Sequence, residues 1–298
     1  LLRIAHADDL FTSSIAGMPV NDTQQQMNGK ESMDVLRTMA SAHHRGNLSP
    51  QRAREGLRDG EFAVAYQPVV KARTLDLLAV ECLIRWQHPD LGVLLPGSFM
   101  TALEDTITAR AISYFVLETA CRQLGGLQHS GVLSARATIN IQPSQLADRE
   151  LSERIVETCS RYQIEPSLIE LELLETENAS QVLTVSDYTR PFEKLGVRFA
   201  LDDFGSGYSS LAMLGSTRIQ TIKLDRAFIA GVPASTRACT LLTGVLQLLH
   251  RMGFLVVVEG VETLEQLRWL ALHPEVFVQG YYIARPQAAI LQAVAPFN

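Results

Sequence analysis

The chain has 298 residues, 47% hydrophobic and 19% charged, a globular balance with material for one large α/β barrel or two average domains. Its formal net charge of −6 argues against binding polyanions through the overall field, so a nucleotide ligand would need a local positive charge such as a metal ion. The seven histidines form no His-x-x-x-His pair, the four cysteines no Cys-x-x-Cys, and no apolar run reaches the ~18–20 residues that span a bilayer.

The N-terminus, LLRIAHADDL, has neither a starting Met nor the basic-then-apolar pattern of a secretion signal, and the chain reads as cytoplasmic. Residues 1–50 read as an arm or linker. SSIAGMPVNDTQQQMNGKES is polar and punctuated by Gly and Pro, and ESMDVLRTMASAHH then sets Met33, Leu36, Met39, Ala40 and His43 at helical spacing. LSPQRAREGLRDG predicts a helix with Ser49 as N-cap, Pro50 in its first turn and Gly60 as its stop. Cys82, Cys121, Cys159 and Cys239 are widely separated and read as buried free thiols in a reducing compartment.

From residue 61 short β-type runs alternate with amphipathic stretches. The runs are FAVAYQPVV, LLAVECLIRW, ARATINI, LIELELL, VRFALDD, IQTIKLD, FLVVVEG and EVFVQGYYIA. Helical stretches between them include ARAISYFVLETACRQL, SQLADRELSERIVETCSRY and TRACTLLTGVLQLLHRMG. Only KARTLD separates the first two runs, too little for a crossover helix, so they form an antiparallel hairpin, whereas the later repeats imply parallel strands. Eight such runs predict an α/β fold, a (β/α)8 TIM-like barrel with one antiparallel strand, over residues 51–298. An open doubly wound sheet is the competing architecture.

Barrel interiors are filled by branched apolar side chains, yet these strands carry polar groups toward one end. Glu81 lies within the second run, Asn140 near the end of the third and Glu172 late in the fourth. Asp202 and Asp203 close the fifth, Lys223 and Asp225 the sixth, Glu259 the seventh, and Gln279 lies late in the eighth. Each alone has an ordinary explanation: a solvated strand Glu, a turn Asn ahead of Pro143, a surface Lys–Asp pair, a helix-capping doublet. Unrelated structural roles would not set them all at the same strand end, where a parallel barrel builds its active sites. Carboxylates and an Asn carbonyl are hard oxygen ligands, suited to Mg2+ or Mn2+ rather than zinc. Five carboxylates exceed the charge of one divalent ion. Two ions about 3.5–4 Å apart, bridged by Asp202 or its neighbour, are expected, with Lys223 holding the acidified water or facing a phosphate.

YQPVV, ECLIRWQHP, INIQPSQL, LELLETE, DDFGSGYSSL, IKLDRAFI, VVVEGVET and VQGYYIARP stand in the order of the EAL domain motifs. From about residue 52 to its end the chain resembles that bacterial family of cyclic di-GMP phosphodiesterases, which act in second-messenger signalling. The resemblance implies a (β/α)8-type barrel and hydrolysis of cyclic di-GMP to linear pGpG at a site with two Mg2+ or Mn2+ ions. It puts Glu81, Asn140, Glu172 and Asp202 on one metal and Asp202, Asp203 and Glu259 on the other, with Lys223 on the nucleophilic water. Arg85 matches a position that contacts a substrate phosphate, and Gln67, Leu83 and Asp225 match positions lining the nucleotide site, where Gln279 would support the metal–water network. Glu175 would bond the loop that carries the aspartate doublet, and Glu262 is a further acid of the same pocket. The family also implies a homodimer to which that loop and the neighbouring helix contribute, with neither a DNA or RNA polymer nor a membrane as partner.

Three departures bear on activity. Cys82 replaces the usual alanine of the signature, Leu174 the threonine of Glu-x-Thr-Glu, and Thr101 a proline in SFMTALED. None removes a metal ligand, so an active enzyme is expected. The alternative is a weak or inactive EAL domain that serves as a cyclic di-GMP receptor.

Overall fold

A computed structural model of the chain describes residues 48–129, 135–184, 186–206 and 211–297; residues 1–47 of the predicted N-terminal arm, its helical stripe included, lie outside them. The first described element is helix α1 (Pro50–Arg58). The Ser49 hydroxyl accepts from the Arg52 amide at 3.2 Å, Pro50 occupies the first turn, and Gly60 leaves the helix at φ 76°. Arg52 meets Glu61 at 2.7 Å, and Glu61 accepts from the Trp86 indole at 2.8 Å, which ties α1 to the barrel wall.

The strands are β1 (Phe62–Lys71), β2 (Leu77–His88), β3 (Gly92–Leu94), β4 (Arg136–Asn140), β5 (Ile169–Leu174), β6 (Arg198–Phe204), β7 (Thr221–Leu224), β8 (Leu255–Val258) and β9 (Val276–Val278). β1 pairs antiparallel with both β2 and β9, and parallel ladders run from β9 through β8, β7, β6, β5 and β4 to β2. The sheet therefore closes, which excludes the open-sheet alternative and makes β1 the reversed strand. β3 is outside the barrel and was not among the expected runs. It exists because β2 overruns the rim, where Trp86–His88 pair antiparallel with residues 92–94.

Helices α2 (Pro96–Leu103), α3 (Thr106–His129), α4 (Arg149–Tyr162), α5 (Glu177–Thr184), α6 (Ser186–Lys194), α7 (Thr236–Arg251), α8 (Leu264–Leu270) and α9 (Ile290–Val294) occupy the connections. No described helix is long and apolar enough to cross a membrane. Two expectations change. The stretch predicted as one helix over 144–162 divides, because Asp148 is extended (φ −88°, ψ 113°) and accepts from the Glu150 amide at 3.0 Å, so it caps α4 after a 3₁₀ turn at Pro143–Ala147. The last run is strand only over Val276–Val278. A Cβ on Gly280 would lie 2.2 Å from the Val261 carbonyl oxygen, and at that close crossing Tyr282 N donates to Val261 O at 3.0 Å instead of extending the ladder.

Period-two alternation builds the barrel interior in layers. Val69, Ala79, Val257 and Phe277 form a small apolar core of their own. Two residues on, toward the strand ends that carry the βα loops, Ala79 gives way to Glu81, Val257 to Glu259 and Phe277 to Gln279. On the reversed β1, Val69 gives way backward to Gln67. On β1, β2, β8 and β9 the interior thus turns from apolar to polar in one step, whereas β5 and β7 carry the buried Glu170 and Thr221 two residues before Glu172 and Lys223. All four cysteines are free thiols, and Cys82, Cys121 and Cys159 are buried.

Candidate metal centre

Lys223, 1% exposed, stands at the middle of the polar layer. Its ammonium lies 3.2 Å from Glu81 Oε2, 3.3 Å from Glu172 Oε2, 3.2 Å from Asp202 Oδ1 and 2.8 Å from Glu259 Oε1. Asn140 Nδ2 donates to Glu81 Oε1 at 3.2 Å, and Gln279 Nε2 donates to Glu81 Oε2 at 2.6 Å and to Gln67 Oε1 at 3.1 Å. Gln67 is itself anchored by donating to the Ala284 carbonyl at 3.0 Å. Side chains from β1, β2, β4, β5, β6, β7 and the exits of β8 and β9 therefore meet at one point.

Two triads form there, Glu81–Glu172–Asp202 and Asp202–Asp203–Glu259, each with carboxylate oxygens within 4.8 Å of one another. Asp202 belongs to both. Like charges this close need a cation or protons between them. Burial raises Glu172 and Asp202 above the usual carboxylate range, opposed by Lys223 and reinforced by neighbouring acids. It pushes Glu259, whose side chain at the rim is 21% exposed, up to about 8. Asp203 rises through burial and then through Asp202 and Asp225. Glu81 is lowered: burial raises it, but Lys223, Gln279 and Asn140 together outweigh burial. Burial also works against the Lys223 charge, and Asp202, Glu172, Glu259 and Glu81 overcome it. An all-oxygen set short of positive charge suits hard divalent cations, so these residues fit a metal.

The loop after β6 is shaped to present the doublet. Asp203 sits at φ 55° and its amide donates to Asp202 Oδ1 at 3.1 Å. Gly205 follows at φ 97°, where a Cβ would lie 2.3 Å from the Phe228 ring, so the turn requires glycine for both conformation and space. Glu175 accepts from the Gly205 amide at 3.0 Å and the Ser206 hydroxyl at 3.2 Å, while its own amide donates to Asp202 O at 2.9 Å.

Two clefts flank the centre, and Glu81, Leu83 and Asp202 border both. One, of about 300 Å³, is polar and includes Gln67, Arg226, Glu259, Glu262, Gln279 and Tyr281. The other, of about 310 Å³, is mainly apolar and runs between β2, β4, α2 and α3. Arg85 is half-buried, donates to the Ile84 carbonyl at 2.9 Å and, among the described residues, pairs with no carboxylate. Asp225 uses one oxygen to cap the turn at Arg226–Phe228, accepting from Ala227 N at 2.9 Å. Glu262 is exposed on the wall of the polar cleft.

Sequence reasoning missed Arg226, Tyr281, Ser113, Gln142 and Gln145, which line the clefts from loops and helices and carry no strand-end signal. It also passed over Glu170, although Glu170 and Glu172 share a face by alternation. Glu170 is 1% exposed, accepts a short hydrogen bond from Thr221 and meets Arg136 at 3.4 Å, a polar contact on the interior face two residues before Glu172.

A family model described as EAL domain matches residues 51–286. The cyclic di-GMP phosphodiesterase RocR of Pseudomonas aeruginosa is 34% identical over 232 residues, covering 78% of this chain and 59% of that protein. The probable cyclic di-GMP phosphodiesterase PdeN of Escherichia coli is 32% identical over 231 residues, covering 76% and 43%. Across the most similar curated relatives the chain spans between 28% and 59% of their length. Among solved structures, the PaMucR phosphodiesterase in complex with c-di-GMP superposes with a TM-score of 0.73 at 29% identity, covering 84% of this chain and 99% of that one.

Proposed function

The chain belongs to the EAL domain family, and from that premise we propose that it is a divalent-cation-dependent phosphodiesterase that opens cyclic di-GMP to linear pGpG. The observation that carries this reading is the pair of carboxylate triads sharing Asp202 around a buried lysine. Five carboxylates and one ammonium leave four unbalanced negative charges, which two divalent ions neutralise.

Glu81, Asn140, Glu172 and Asp202 would hold one Mg2+ or Mn2+, and Asp202, Asp203 and Glu259 the other. When bound, the ions lower the pKa of water and offset charge on the phosphodiester. Lys223, relieved of its carboxylate partners, holds the attacking water by donation and places positive charge beside the phosphate. Gln67 and Gln279 keep Glu81 oriented, and Glu175 keeps the Asp202–Asp203 turn in place. Arg85, which pairs with no carboxylate among the described residues, meets a substrate phosphate, and the two clefts take the two nucleoside halves. Water gives up one proton as its oxygen bonds to phosphorus, the bond from phosphorus to the 3′-oxygen breaks, and the departing oxygen takes up one proton, so the step consumes one water and no net proton.

Incubation with cyclic di-GMP and Mg2+ is expected to yield pGpG on a chromatogram, with steep loss of turnover in Glu81→Ala. Intact substrate after incubation with excess Mn2+ would sink the catalytic reading. One observation favours the receptor alternative: Leu174, opposite Asp202 in the β5–β6 ladder, is 39% exposed and offers no hydroxyl to the site. Calorimetry with Ca2+ beside the turnover assay separates the two, since tight binding without product selects the receptor. A homodimer through the loop after the doublet belongs to the same proposal, and light scattering at two protein concentrations tests it.

A further inference from the structure

We propose that Gln145 reads a carbonyl acceptor on one base of the cyclic dinucleotide and so selects guanine over adenine; this rests on the substrate reading above. The residue lines the apolar cleft beside the carboxylate centre, and only 5% of it is exposed. Its Oε1 is fixed by two donors, the Gln142 amide at 2.8 Å and the Ser113 hydroxyl at 3.2 Å. Turning the side-chain amide over would set its NH2 against the Gln142 N–H, so the orientation is determined by the backbone. Its Nε2 is consequently left as a buried donor with no partner among the described residues.

Buried donors are seldom left unpaired, and a cleft of about 310 Å³ holds a purine-sized body. Leu83, Pro96, Met100, Leu103 and Ile112 supply apolar walls for the faces of such a ring. Of the other side-chain amides and hydroxyls there, Asn140 donates to Glu81 and Glu172, Ser113 donates to Gln145 itself, and the half-buried Gln142 donates one of its two N–H hydrogens to the Leu103 carbonyl. Among the described residues, Gln145 Nε2 is thus the buried side-chain donor of this cleft that has no partner. Guanine presents the acceptor O6 where adenine presents an amino donor, so the same N–H rewards one purine and opposes the other. The cleft opens at Glu81, Leu83 and Asp202, so a base seated in it belongs to a nucleotide whose phosphodiester reaches the carboxylates.

Calorimetry of the full chain with Ca2+ would compare cyclic di-GMP, cyclic di-AMP and a cyclic di-GMP analogue carrying 2-aminopurine, which lacks O6. The unaltered protein is expected to bind cyclic di-GMP roughly tenfold or more tighter than either of the others. Gln145→Glu keeps the acceptor for Gln142 and removes the donor. It should lose roughly tenfold for cyclic di-GMP and little for the 2-aminopurine analogue. Ser113→Ala, which introduces no buried charge, should shift the same preference in the same direction by less, and in turnover it should raise KM more than it lowers kcat. Equal affinity of the unaltered protein for cyclic di-GMP and the analogue would overturn the assignment, the Nε2 hydrogen then being met by water. Failure to bind or cleave cyclic di-GMP at all would instead overturn the functional reading, and the two failures are distinguishable in the unaltered protein.

Discussion

Asp202 shows how a single side chain can work against the fold and for the site. It lies in both triads, is 8% exposed, and is raised by burial, so its charge is unfavourable until a cation arrives. Asp202→Asn keeps an oxygen for Lys223 and for the Asp203 amide while removing that charge. Cation-free protein should therefore melt higher, by about 1–2 kcal/mol in stability, while the melting increment produced by Mg2+ or Mn2+ is lost and turnover falls at least ~10³-fold. Melting curves in EDTA and in excess cation read both halves, and an undiminished cation increment would contradict the shared-ligand assignment. Leu174 offers the opposite experiment. Its side chain is exposed, so Leu174→Thr should leave stability within about 0.5 kcal/mol. If the missing hydroxyl limits the turn beside Asp202, kcat should rise about three- to tenfold, the worth of one hydrogen bond.

At the scale of elements, two glycines separate what the chain's path requires from what helix propensity favours. A Cβ on Gly280 would meet Val261 O at 2.2 Å and Val261 N at 2.3 Å, backbone atoms that cannot swing aside. Val261 N also donates to Gln279 O at 3.1 Å, so the same crossing holds the exits of β8 and β9 in place beside Glu259 and Gln279. Gly280→Ala is expected to cost about 1–3 kcal/mol and to lower turnover beyond the loss of folded protein. Gly244, inside α7 with nothing within 4 Å of its Cβ position, should give the opposite sign, Gly244→Ala gaining about 0.5–1 kcal/mol in a urea titration. These contrasts also mark what the sequence made legible. All eight barrel strands and the hairpin were readable, because apolar runs, alternation and the six-residue KARTLD gap are local signals. So was the placement of Glu259 and Gln279 with the other polar residues toward one strand end, because a run and the residues late in it are read from the sequence directly. The break at Asp148, the early end of β9 and the β3 flap depend on tertiary contacts that no local pattern encodes. Gln145 and Tyr281 were invisible for the same reason, since cleft walls are made by packing.

At the scale of the whole molecule, barrel closure is what lets acids from separate strands face one another, and it leaves a chain of net charge −6 with much of its negative charge at one mouth. Protons and divalent cations therefore compete for the same carboxylates, and the sign of the competition follows from the shifts. Glu259 carries a pKa of about 8 without a cation, so at neutral pH it is mainly protonated and must release a proton when it becomes a ligand. Glu172 and Asp202 are raised as well and act in the same direction. For a carboxylate whose folded pKa is raised, the stabilising contribution is complete below the usual ~4.5 and is lost as pH rises toward about 8. Glu81, which is lowered, contributes in the opposite sense, but only below that window. Cation-free protein should accordingly lose melting temperature between about pH 5 and pH 8, while protein in saturating Mn2+ holds its own. At a hundredfold excess over Kd the cation contributes about 2.7 kcal/mol, a separation of roughly 5–10 °C for a domain of this size. Titration calorimetry in buffers of different ionisation enthalpy should register at least one proton released per site at pH 7, declining above about pH 8. A melting separation independent of pH, with no proton released, would show that the acids are already ionised and that the mouth of the barrel is not built around their shared need for a cation.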